Sequence, residues 1–345
     1  MQISSRCKGF RRFLAALALF FATLSDRCLA DAVGPLVVTA EIRGKDGAFG
    51  LAAIDEARRT LYVAREDGVM RVDLTTRQAI PAFVPGDKVQ GVIALPGDRI
   101  LSSNSGNNTI TLADARTGAV QATLPVGKHP QAVIHDPASG LVLVTNEDDG
   151  TVTAIDPAAL TSSSIAVGGT LRSAAIDGGG RLYVVDKDAG QIAVVDIAQR
   201  KLAARYKLLG CDSPSGLALD LAGGILLAAC KNEKAVAVRA ADGSVAGTFE
   251  IDRVPNAVIF DPIRKVFFIP CARDATMIAI ASNGGRLTPL RKIPTAIGAR
   301  TGALDPMSGD LYLPAADYSI GLTGISQKPG TFRILVLGAR PAEQQ

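Results

Sequence analysis

A unit of about 41 residues recurs along this chain, and it constrains the fold more than any other feature. It appears as GLAAIDEARRTLYVA, QGVIALPGDRILSS, QAVIHDPASGLVLVT, RSAAIDGGGRLYVVD, SGLALDLAGGILLAA, NAVIFDPIRKVFFIP and RTGALDPMSGDLYLP. The anchor positions are Asp55, Leu95 in place of Asp, Asp136, Asp177, Asp220, Asp261 and Asp305. They lie 40, 41, 41, 43, 41 and 44 residues apart. Each unit reads as four short strands separated by turn residues. In the third, the strands expected are Gln131–His135, Leu141–Thr145, Thr151–Ile155 and Ser164–Val167, here called a to d. One such sheet cannot bury both faces alone, so successive units must stack. Four antiparallel strands in about 40 residues make a propeller blade. The expectation is an all-β, seven-bladed β-propeller with four-stranded antiparallel blades. Its repeats span about 49–87, 88–127, 128–168, 169–210, 211–252, 253–295 and 296–339, within a single domain of residues 31–345.

The two ends of the chain look complementary. The seventh unit runs out after a strand c at Phe332–Leu337. At the other end, LVVTAEI (residues 36–42) resembles the d segment AVQATLPV of the second unit. Residues 36–42 are therefore expected to complete the last blade, which removes an open sheet edge from the ring.

The first 30 residues read as an export signal. Arg6, Lys8, Arg11 and Arg12 precede the short apolar run Phe13–Leu24, and Cys28-Leu29-Ala30 offers a cut after Ala30. That run is shorter than the roughly 20 residues a bilayer span needs, so no membrane span is expected after cleavage. Arg11-Arg12 leaves open twin-arginine as well as general export. Loss of residues 1–30 removes five basic residues and one acidic one, taking the formal charge from +4 to zero. The pI of 8.8 thus belongs largely to the leader, and no nucleic-acid partner is expected from net charge. The mature chain is expected in the periplasm or secreted, as a monomer.

Three cysteines remain, Cys211, Cys230 and Cys271. Cys211 lies nine residues before anchor Asp220 and Cys230 ten after it. Across one a–b hairpin these offsets bring the pair to the same end of the same blade, so a Cys211–Cys230 disulfide is expected. Cys271 aligns with Cys230 one unit later, and Cys230–Cys271 is the alternative pairing.

The recurring "P…apolar…DP.sG.lyV.n…v.viD…G", as in Pro130–Asp156 and Pro214–Val238, resembles the YVTN-repeat β-propellers of the YncE type. The resemblance covers nearly all of residues 36–339. No unit has a full Tyr-Val-Thr-Asn; the nearest are Leu143-Val144-Thr145-Asn146, Tyr62-Val63-Ala64 and Tyr183-Val184-Val185. It implies an exported seven-bladed propeller without a shared catalytic set.

Comparing columns of the repeat isolates candidate site residues. Five positions before each anchor stand Gly50, Gln90, Gln131, Arg172, Ser215, Asn256 and Arg300, none of them a large apolar residue. Each opens an innermost strand, so all seven should crowd one mouth of the central channel. Such a column either meets channel water or binds a polar or anionic ligand, with Arg172 and Arg300 as the anion-binding groups. The b–c loops share that face, and binding tends to ride on loops over a rigid scaffold. His129 and His135 lie six residues apart on one extended segment, about 20 Å end to end, too far to share a metal. His129 belongs to the mouth and His135, one residue before its anchor, to a core column. Asn146-Glu147-Asp148-Asp149-Gly150 lacks the alternating spacing of a calcium loop.

No catalytic residue, metal ligand or cofactor is assigned. Haem would need an axial histidine in the channel, where only His129 qualifies by position. A divalent metal at the mouth, with carboxylates such as Glu66 or Glu147, belongs to a lactonase-like hydrolase or lyase. The favoured expectation is a non-enzymatic binding or scaffold protein. Its mouth would meet a polar or anionic small molecule or a periplasmic protein.

Overall fold

The computed structural model describes residues 36–321 and 324–339. The expected leader, its cut near Ala30 and the last residues, 340–345, lie outside the described residues. Within them the chain forms seven four-stranded antiparallel sheets and one two-stranded hairpin. Six sheets are consecutive meanders over residues 49–85, 89–125, 130–166, 171–207, 214–250 and 259–294, numbered here as blades 1 to 6. Blade 7 takes Ala303–Leu304, Leu311–Ala315 and Arg333–Ala339 from the end of the chain. Its outermost strand is Leu36–Arg43 from the beginning. Each innermost strand neighbours that of the next blade, and Ala303–Leu304 neighbours Phe49–Asp55, so the ring is closed.

Burial explains the order of strands within a blade. Strand b is covered on both faces by the two flanking blades, and in blade 5 its sequence is a continuous apolar run. Ile225–Cys230 is buried at every position. Outer strands alternate instead, as in Lys201–Lys207, where only one face meets the core. The core lies between blades: Tyr183, Ile192 and Val194 of blade 4 pack on Leu217, Leu226 and Val236 of blade 5. Deprived of its neighbour, either sheet would expose a full apolar face.

Closure uses backbone and side chains together. Leu36–Arg43 pairs antiparallel with Arg333–Ala339, from Leu36 opposite Ala339 to Arg43 opposite Arg333. On the face of the a–b turns, Arg59 of blade 1 grips Asp305 of blade 7 through both terminal nitrogens at 2.7 Å. On the mouth face, Asp46 accepts hydrogen bonds from the Phe332 amide and Gln327 Nε2, each at 3.1 Å. Gln327 belongs to the hairpin Tyr318–Gly321/Gly324–Gln327, inserted between strands b and c of blade 7. The repeat gave no sign of this hairpin, because an insertion in one unit leaves the period of the others unchanged.

The disulfide joins Cys211 to Cys230, with Cα atoms 5.4 Å apart. It ties the loop entering blade 5 to the end of that blade's strand b. Cys271 is free and buried. His135 departs from its expected place in the core. It is half-buried and lines a separate cavity of about 250 Å³ with Arg99 and Asp156, at the end of strand a away from the mouth. A polar ring costs less at this solvent-reached turn than inside the sheet stack.

Candidate functional site: the channel mouth

Gly50, Gln90, Gln131, Arg172, Ser215, Asn256 and Arg300 come from seven different blades, and all line one cavity of about 380 Å³. Phe49, Leu51, Ala132, Ser173, Lys187, Lys231, Val254 and Pro255 complete the wall. A local irregularity of the strands aims the column. The a–b register shifts between Phe49 and Ala52, Val89 and Gly91, Pro130 and Val133, Leu171 and Ala174, and Pro214 and Gly216. Residues 50, 90, 131, 172 and 215 sit at these bulges, where a residue leaves the ladder and its side chain is re-aimed. In blade 6, Asn256 falls between the isolated Pro255–Cys271 bridge and strand Ile259–Asp261.

The bulges also bring neighbouring blades into hydrogen-bonding reach. Ser103 donates its hydroxyl to the Gln131 carbonyl at 2.8 Å, and Thr145 donates to the Arg172 carbonyl at 2.8 Å. Ser215 spends its hydroxyl likewise, on the Pro255 carbonyl at 3.0 Å. Gly50 has a steric reason: a Cβ there would stand 2.5 Å from the Gln90 carbonyl oxygen, so blade 2 approaches too closely for any side chain.

The electrostatics of the cavity are one-sided. Arg172, Lys187, Lys231 and Arg300 line it, and no carboxylate among the described residues does. Arg172 donates Nε to Glu147 Oε1 at 2.9 Å, and Lys187 Nζ lies 3.7 Å from the same oxygen. Glu147 is buried behind them, and its other oxygen has no hydrogen-bond partner among the described residues. Arg300 donates a terminal nitrogen to the Phe49 carbonyl at 3.0 Å, and its guanidinium lies 5.0 Å from the centre of the Phe49 ring. The Lys231 side chain has no ion-pair partner among the described residues.

His129 does not reach the cavity wall. It adopts a left-handed backbone conformation on the rim, its amide donating to Asn108 Oδ1 at 2.9 Å. Its Nδ1 stands 3.5 Å from both Glu147 and Asp148. The histidine therefore faces the carboxylate behind Arg172 and not the channel. Asn146 and Asp149 are engaged in the turn itself. Asn146 donates to Thr151 and Thr153 at 2.9 Å, and Asp149 accepts from the Lys128 amide at 2.8 Å. Among the described residues no three His, Cys, Asp or Glu side chains are grouped to hold a metal ion.

The sequence put Glu147 and the b–c loops that carry Lys187 and Lys231 on the mouth face, but it did not show that these two lysines join the cavity wall or that Glu147 contacts Arg172. Glu147 reaches Arg172 across a blade boundary, from the b–c loop of blade 3 to strand a of blade 4. A one-dimensional repeat does not display contacts of that kind.

No family model matches the chain, and no curated protein matches it in sequence. Solved structures do match in shape. Hydrazine synthase of Kuenenia stuttgartiensis has TM-score 0.70 at 13% identity, covering 84% of this chain and 98% of that one. A chain of a mitotic checkpoint complex has TM-score 0.73 at 11% identity, covering 99% and 97%. U3-55K has TM-score 0.73 at 12% identity, covering 88% and 100%. At such identities the likeness is one of fold alone. The class of protein shown is a seven-bladed β-propeller, similar in fold to several others.

Proposed function

We propose that this chain is an exported propeller of the YVTN-repeat kind, and that it binds an anionic small molecule at its channel mouth without transforming it. The observation that carries this reading is the cavity lined by four cations and, among the described residues, no carboxylate, at the convergence of seven inner strands. Its volume of about 380 Å³ lies in the range of small-molecule sites. Guanidinium groups recognise carboxylates through paired hydrogen bonds, and an uncompensated cluster of cations draws anions from a distance. Export is supported by the basic and apolar leader and by the Cys211–Cys230 disulfide, which suits an oxidising compartment. The competing hydrolase reading needs metal ligands or a positioned base at the mouth. Among the described residues the cavity wall offers no carboxylate or histidine, and Glu147, behind the wall, is turned onto Arg172 and Lys187.

Thermal-shift measurements on the purified mature protein test this, using carboxylates, phosphate and divalent cations as probes. Anions should raise the Tm of the wild type and leave an Arg172→Ala/Arg300→Ala double variant unmoved. Stoichiometric metal together with lactone hydrolysis, both lost in Glu147→Ala, would replace the binding reading with the enzymatic one.

A further inference from the structure

The four cations are unevenly placed around the mouth. Arg172 and Lys187 belong to blade 4 and Lys231 to blade 5, whereas Arg300 precedes the inner strand of blade 7. Arg172 and Arg300 are thus three blades apart in a ring of seven, on nearly opposite walls of one cavity. Each is pinned from behind through a single nitrogen. Glu147 holds Arg172 by Nε, and the Phe49 carbonyl holds Arg300 by Nη2. Both terminal nitrogens of Arg172, and Nε and Nη1 of Arg300, have no hydrogen-bond partner among the described residues. Between the two poles the wall is neutral or apolar, with Leu51, Gln131, Val254 and Asn256.

We infer that the mouth takes a ditopic dianion, a short chain with a carboxylate at each end. This rests on the reading of the mouth as an anion site. One end meets Arg172 with Lys187 and Lys231, and the other meets Arg300. A monoanion satisfies one pole and leaves the other cation facing the channel unpaired. A phosphate concentrates its charge on one group and likewise reaches one pole. Two pre-positioned arginines lose little freedom on binding, so a ligand that spans them collects both sets of charge-assisted hydrogen bonds. A compact cavity of 380 Å³ is about 9 Å across, which suits a chain of roughly four to six carbons and not a polymer.

Calorimetric titration at low ionic strength decides it, with butyrate, phosphate, succinate, glutarate and adipate as probes. At least one dicarboxylate should bind tenfold or more tightly than butyrate. Arg172→Ala and Arg300→Ala should each reduce that dicarboxylate to the butyrate level, with butyrate itself weakened by only one of the two. Arg172→Gln and Arg300→Gln, checked by circular dichroism, repeat the test with a hydrogen-bonding side chain should an alanine variant fail to fold. Dicarboxylates no tighter than butyrate, with all anions still weakened by the arginine variants, would overturn the two-pole ligand and leave an anion site. No binding of any probe to the wild type would overturn both.

Discussion

Asp305 shows how one residue of the repeat serves the closed ring. Burial alone would raise its carboxyl pKa, but hydrogen bonds from Arg59 and Ser308 outweigh that and hold it below the usual range. A depressed carboxyl contributes stability above its unfolded pKa, and that contribution disappears as pH falls through the folded value. Wild-type Tm should therefore fall from about pH 5 to about pH 2. Asp305→Asn should fall less over the same range, and equal slopes in the two proteins would contradict the assignment. Cys271 is a second residue-scale case. Burial pushes its thiol pKa up to about 12, so little thiolate forms at ordinary pH. Iodoacetamide at about pH 8 should leave Cys271 unmodified in the native protein and label it in denaturant; rapid native labelling would show an open thiol. The anchor aspartates were legible because they recur with the turn. The pairing of Asp305 with Arg59 was not, since it joins residues 246 positions apart.

At the scale of the strand, the alternation of apolar runs and turn residues located the strands of the third unit to within one residue, except that its strand d begins at Thr161 and not at Ser164. The bulge at the start of strand a left no such trace, because Gly, Gln, Arg and Ser all occupy it. What they share is the position, where the side chain leaves the ladder for the channel. The disulfide acts at this scale too. It closes a loop of sequence separation 19 around the hairpin that opens blade 5. On the loop-entropy account it contributes about 3 kcal/mol. Paired Cys211→Ser and Cys230→Ser substitutions should lower unfolding free energy in urea by about that amount. An unchanged midpoint with an unchanged denaturant slope would refute a stabilising role.

At the scale of the whole molecule, closure converts seven individually weak features into one site. Bulges in five blades, with Asn256 and Arg300 at the strand openings of the other two, together enclose one cavity. The repeat period made both the seven-bladed ring and the joining of its ends readable, since a blade lacking its outer strand demands a partner. The polarity of the cavity was only half readable. Arg172 and Arg300 stand in the column, but Lys187 and Lys231 arrive from b–c loops whose reach depends on loop geometry. The central claim is that this mouth binds an anionic ligand between opposed cationic walls. A crystal structure of the mature protein grown with glutarate tests it most directly. The account predicts one glutarate in the channel mouth, its carboxylates on Arg172 and Arg300; an empty mouth at saturating glutarate, or glutarate bound only elsewhere, would contradict it.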